Sequence, residues 1–141
     1  MSVDVTTLWQ RLAVEAKVVE ILEAVPCIAP VPHQLGRPYL TAYQIAIRLD
    51  ERHPEVAHEL GVEIGGRGVG RNFSLASYLG RQLSELVRRD QDGTHPIEGA
   101  FLSSQSVTAL TYIDAKGNSV ESSATGTPYD LSLFRRRQAD R

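Results

Sequence analysis

The chain has 141 residues, of which 42% are hydrophobic and 23% are charged, with a formal net charge of -2. This size and balance are typical of one folded domain and exclude a wholly disordered chain. No apolar run approaches the roughly 20 residues that cross a bilayer, and a single cysteine, Cys27, excludes an internal disulfide.

The first predicted element is an amphipathic helix over residues 5–25. Apolar residues recur at three- and four-residue steps from Val5 to Leu22, with Trp9 beside this stripe. Because a small domain does not readily cover such a stripe, the pattern predicts a homodimer contact through this helix. Four prolines then predict an extended, linker-like segment over residues 26–38.

Two further helices follow the linker. Thr41 and Gln44 have the spacing of a capping box, which predicts a helix that runs to about Arg52. Pro54 favours the start of a short helix, and Gly61 favours its end.

Residues 61–72 contain five glycines and are predicted to form a flexible loop that carries Arg67 and Arg71. A nucleotide-binding P-loop needs a lysine followed by serine or threonine, and this segment contains no lysine. A basic loop that contacts phosphates is therefore the better prediction.

The strongest helix prediction covers residues 74–89, where Ser74 is a good N-cap. Its apolar positions share one face, formed by Leu75, Leu79, Leu83 and Leu86. The opposite face carries Ser77, Arg81, Ser84 and Arg88. The helix is thus expected to bury leucines and to expose serines and arginines.

From Ile97 onward the pattern changes to short strands: IEGAFL, SVTALTYI and NSVESS. The segment DAKGN predicts a hairpin turn in which Gly117 takes a positive φ. Phe134 is the last apolar anchor, so a single domain is predicted over residues 1–134, followed by a flexible basic tail over 135–141.

The charges form two basic segments in an otherwise acidic chain. Residues 64–89 carry five arginines and one glutamate, and residues 135–141 carry four arginines and one aspartate. Such clusters suit a surface that faces phosphates. The same arginines would also suit a solvated helix face and a frayed chain end.

The α+β order of helix, linker, helices, loop, arginine-faced helix and β-hairpin resembles a winged helix-turn-helix domain over residues 39–123. In that family the helix before the hairpin enters the major groove of DNA, and the hairpin contacts the backbone or minor groove. The resemblance implies a transcription regulator that binds double-stranded DNA and is not an enzyme. It assigns DNA contacts to the basic loop and the helix that follows it, at Arg67, Arg71, Ser74, Ser77, Arg81, Ser84 and Arg88.

Two other interpretations stay open. The same body would suit a protein interaction module whose arginines dock on an acidic partner. A small enzyme is the third, although His53 and His58 lie about 140° apart around a helix and no nucleophile motif is present. No metal and no cofactor are predicted. The start lacks a signal-peptide pattern, so a cytoplasmic protein is expected.

Overall fold

The computed structural model describes residues 7–27, 36–65, 74–123 and 131–137. It has a mixed α+β fold, as the sequence predicts. The helices are α1 (Leu8–Arg11), α2 (Val14–Glu23), α3 (Ala42–Arg52), α4 (Glu55–Leu60) and α5 (Leu75–Arg89). The strands are β1 (Leu40–Thr41), β2 (Ile97–Leu102), β3 (Ala109–Ile113), β4 (Ser119–Ser123) and β5 (Leu131–Arg136).

The single helix predicted over residues 5–25 is wrong, because the chain breaks into α1 and α2. Ala13 adopts a left-handed conformation with φ 51°, which shifts the buried positions after the break. Trp9 is only 8% exposed, and its ring centroid lies 5.9 Å from that of Tyr78 on α5. Much of the apolar stripe is therefore covered within the chain, which weakens the basis of the homodimer contact at this helix; that contact stays a prediction.

Helices α3 and α4 confirm the sequence prediction closely. The Thr41 hydroxyl accepts a hydrogen bond from the Gln44 amide at 3.2 Å, while the Gln44 side chain accepts one from the Thr41 amide at 2.8 Å. This reciprocal cap satisfies two N–H groups that a helix start leaves unpaired. Gly61 ends α4 with φ 67°.

Helix α5 spans Leu75–Arg89, as predicted. Leu75, Leu79 and Leu83 are fully buried, and Leu86 is half-buried against the same core. Burial of a leucine side chain contributes roughly 1.5–3 kcal/mol relative to its exposure. The apolar face therefore fixes which side of α5 points to solvent.

The main sheet has the antiparallel order β1-β5-β2, with β5 in the centre. Ile97 pairs with Arg136 at one end of the β2–β5 ladder, and Leu102 pairs with Leu131 at the other. The sequence predicted neither β1 nor β5. The predicted flexible tail is wrong at Arg135 and Arg136, which belong to β5, whereas residues 138–141 lie outside the described residues.

The hairpin β3–β4 lies between β2 and β5 in the chain and confirms the predicted turn. Gly117 has φ 83°, and the Asp114 carboxylate accepts hydrogen bonds from the amides of Lys116 and Asn118. Tyr112 of β3 stacks on Tyr43 of α3, with ring centroids 5.5 Å apart and planes 7° apart. Through this contact the hairpin packs against α3.

One hydrophobic core joins α2, α3 and α5 to the main sheet, where Phe134 and Ile97 are buried. The predicted linker over residues 26–38 is described at its two ends, residues 26–27 and 36–38. At the second of these ends Arg37 donates hydrogen bonds to the carbonyls of Glu23 and Val25, at 2.8 and 3.1 Å. This contact satisfies carbonyl groups at the end of α2, which has no basic residue in its last turn.

None of the helices in the described ranges is both long enough and apolar enough to span a membrane.

Candidate nucleic-acid interface

The outward face of α5 carries two of the predicted DNA contacts in exposed positions. Arg81 and Arg88 are both exposed, and Ser84 lies between them, half-buried. Because an α-helix rises about 1.5 Å per residue, the seven-residue spacing places the two arginines about 10 Å apart along the helix. This face is opposite the buried leucines and is open to solvent.

Ser74 and Ser77 have a structural role in place of the predicted DNA contact. Ser74 is 5% exposed, and its hydroxyl accepts a hydrogen bond from the Ser77 amide at 3.0 Å. The Ser77 hydroxyl accepts from the Ser74 amide at 3.1 Å and donates to the Ser74 carbonyl at 3.0 Å. Ser74 is thus too buried to face DNA, and the Ser77 hydroxyl is engaged in the helix cap.

Glu85, the one glutamate of the basic segment over residues 64–89, reduces the positive charge of this face. Its carboxylate accepts hydrogen bonds from Nε of Arg88 at 3.1 Å and from Nε of Arg89 at 2.9 Å. The hydrogen bond from Arg88 lowers the pKa of Glu85, and the same contact raises the pKa of Arg88. The spacings of three and four residues from Glu85 were readable in the sequence as helix-surface pairs.

One carboxylate between two guanidinium groups leaves a net positive charge on this part of the helix. The side chains of Arg88 and Arg89 are 73% and 75% exposed. Exposed ion pairs are weak because water screens them and the side chains lose freedom. Both guanidinium groups are therefore open to solvent and held only weakly by Glu85.

The second basic segment does not form a phosphate-facing surface in its described part. Arg135 contacts Glu98 at 2.6 Å, directly across the β2–β5 ladder, and its guanidinium lies 4.5 Å from the ring centroid of Tyr39. Arg136 contacts Glu23 at 3.0 Å.

The next residue, Arg137, contacts Asp90 at 3.0 Å and Glu98 at 3.2 Å. Each arginine of this short run is thus paired with an acid from another element, so the run joins β5 to its neighbours.

Arg67 and Arg71, two of the predicted DNA contacts, lie outside the described residues. The Leu75 amide donates to the Glu63 carbonyl at 2.7 Å, and the Ala76 amide donates to the Ile64 carbonyl at 2.9 Å. These bonds hold Glu63 and Ile64 beside the first turn of α5.

The hairpin contributes little positive charge to the surface. A cleft of about 450 Å³ lies between α3 and β3, lined in part by Arg48, Glu51 and Asp114. At the cleft edge, burial raises the pKa of Tyr43, and the neighbouring Tyr112 adds to this effect. The charges of the cleft are mixed, whereas the exposed face of α5 carries an excess of positive charge.

In the described part of the chain, no group of three or more His, Cys, Asp or Glu side chains is arranged so that it could hold a metal ion. His95 lies 3.4 Å from Glu15, and His53 lies between Glu20 and Glu55 at 3.7 and 3.6 Å. These contacts join separate elements and suit structural positions.

Comparison with protein-family models, with curated proteins and with solved structures gives no match.

Proposed function

We propose that the protein binds double-stranded DNA through the exposed face of α5, and that it acts as a transcription regulator. The observation that carries this proposal is the division of α5 into two faces. Its leucines are buried in the core, while Arg81 and Arg88 are exposed on the opposite side. Because α5 packs on the core through its leucines, its backbone presents the two guanidinium groups from fixed positions.

The order of elements supports this proposal. Helix α5 directly precedes β2 and the β3–β4 hairpin, and β1 precedes α3 and pairs in the sheet with β5. The resemblance to winged helix-turn-helix domains assigns groove contacts to the helix in this place. Fold resemblance alone does not fix a function, so the proposal depends on the side chains of the helix.

The two exposed arginines would have different roles. Arg81 lies near the middle of α5, where a planar guanidinium can donate two hydrogen bonds to a guanine edge. Arg88 lies in the last turn beside Glu85, where a phosphate contact requires only the exchange of one anion for another. Arg67 and Arg71 precede this helix in the sequence, and they are proposed to contact phosphates.

The test is fluorescence anisotropy with a labelled duplex, first of random sequence and then of a sequence enriched by selection for binding. Arg81→Ala should cost roughly 1–3 kcal/mol on the enriched site and relax the preference at one base pair. The matched control is Arg52→Ala, which removes an exposed arginine from α3. If the parent binds no duplex at low salt, the proposal fails and the protein interaction module becomes the better interpretation.

A further inference from the structure

Strand β2 forms an outer edge of the main sheet, where its partner in the described structure is β5 on one side. The Arg137 amide donates to the Pro96 carbonyl at 2.7 Å, and the ladder continues from this pair with Ile97 opposite Arg136. In an antiparallel ladder hydrogen-bonded pairs alternate with non-bonded pairs. The even-numbered residues of β2 therefore bond to β5, and the N–H and C=O groups of Gly99 and Phe101 point away from it.

These four backbone groups have no hydrogen-bond partner within the described ranges. Phe101 is 71% exposed, and its neighbour Leu102 is 37% exposed. Natural edge strands are usually protected by proline, lysine, a bulge or an inward-pointing charge. The segment Ile97–Leu102 has none of these, because its one charged residue, Glu98, is held by Arg135 and Arg137.

We propose that two copies of this chain associate by antiparallel pairing of β2 with β2, with Ala100 of one copy opposite Ala100 of the other. In this register Gly99 of each strand lies opposite Phe101 of its partner. The four outward backbone groups of each copy then form four hydrogen bonds across a two-fold axis. The two three-stranded sheets become one continuous sheet.

The side chains of β2 favour a second copy over an unrelated strand. Gly99 has no side chain, and the methyl groups of Val87 lie 3.3 Å from where its Cβ would be. These methyl groups fill the place of a Gly99 side chain, so the Phe101 ring of a strand paired here would pack beside Gly99 against Val87. The strand thus carries both the protruding ring and the apolar surface on which the ring of a second copy would pack, and a two-fold axis makes such a surface self-complementary.

This inference goes beyond DNA binding and does not depend on it. It places a dimer contact on β2, away from the one predicted at residues 5–25.

The register is tested by disulfide cross-linking in a Cys27→Ser background. Opposed residues in a non-hydrogen-bonded pair have Cα atoms about 4.5 Å apart, within the range that a disulfide spans. Ala100→Cys should therefore yield a covalent dimer on mild oxidation. The control Ser103→Cys places its two thiols about 20 Å apart in this register and should cross-link far more slowly. Equal cross-linking rates for the two variants would overturn the proposal.

The contact is tested independently by sedimentation equilibrium. Phe101→Lys should raise the dimer dissociation constant by at least about tenfold, because a buried ring is replaced by a charge. Ile113→Lys changes a side chain that is 63% exposed on β3, and it should leave the dimer intact. Circular dichroism checks that both variants fold. A parent protein that stays monomeric at its highest soluble concentration overturns the inference, even if it binds DNA.

Discussion

At the scale of single residues, Glu85 sets how much positive charge the exposed face of α5 presents. Its carboxylate bonds to both Arg88 and Arg89, so it competes with any phosphate for the same guanidinium groups. The serines that were predicted to contact DNA are less available to a ligand than the arginines. Ser74 and Ser77 are engaged in the cap, which leaves Ser84 as the remaining predicted serine on the open side.

The substitution Glu85→Gln should strengthen DNA binding. Removing this anion leaves two uncompensated guanidinium groups, so the dissociation constant at low salt should fall by about three- to tenfold and the salt dependence should steepen by up to about one unit. Anisotropy titrations at several salt concentrations measure both quantities. Glu59→Gln, an exposed glutamate on α4, is the control and should change neither.

Asp90 is a second residue with a definite role, at the junction between α5 and β2. Burial raises its pKa, but hydrogen bonds from the amides of Thr94 and His95, together with Arg137, outweigh burial and lower it. A lowered pKa in the folded state means that the ionised carboxylate stabilises the fold above the unfolded value of 3.8. This contribution is lost as the pH falls through the folded-state pKa.

Asp90→Ala should therefore lower the melting temperature at pH 7 by about 5–10 °C. The difference between variant and parent should shrink as the pH drops below about 4, because the parent then loses the same interactions. Thermal melts followed by circular dichroism from pH 3 to pH 7 test this. A difference that stays constant with pH would contradict the assigned role.

At the scale of elements, local signals were sufficient for α3, α4 and α5, because caps, glycine stops and leucine periodicity lie within each helix. The pairing of residues that lie far apart in the sequence could not be predicted from it. The run of arginines after Phe134 looks like a solvated tail, yet Arg135 pairs with Glu98, which lies 37 residues earlier. The break at Ala13 carried no glycine or proline to mark it.

The arginines of β5 should contribute to stability and not to DNA affinity. The double variant Arg135→Gln/Arg137→Gln leaves Glu98 half-buried without a cation, so the melting temperature should fall by about 5 °C or more. DNA affinity of the folded protein should change by less than about twofold, since these arginine side chains are only 20% and 30% exposed and are held by acidic partners. Differential scanning calorimetry and anisotropy give the two values, with Arg52→Gln as the control for loss of one exposed arginine.

At the scale of the whole molecule, a net charge of -2 conceals an uneven distribution. Arg135, Arg136 and Arg137 are paired with acids from α2, β2 and the segment before β2, whereas α5 keeps an excess of positive charge on one open side. The sequence therefore predicted helix α5 and which of its faces is exposed to solvent. The C-terminal arginines were misjudged because their partners depend on the assembled sheet.

The measurement that tests the central claim most directly is an NMR titration of the ¹⁵N-labelled protein with a short duplex. The exposed face of α5 should respond, so backbone amides around Arg81, Ser84 and Arg88 should show the largest shift changes, while those of Arg135–Arg137 stay near their free positions. In Arg81→Ala/Arg88→Ala the changes should largely disappear at equal DNA concentration. Shift changes confined to β5 or to the hairpin, or none at low salt, would contradict the claim that α5 binds DNA.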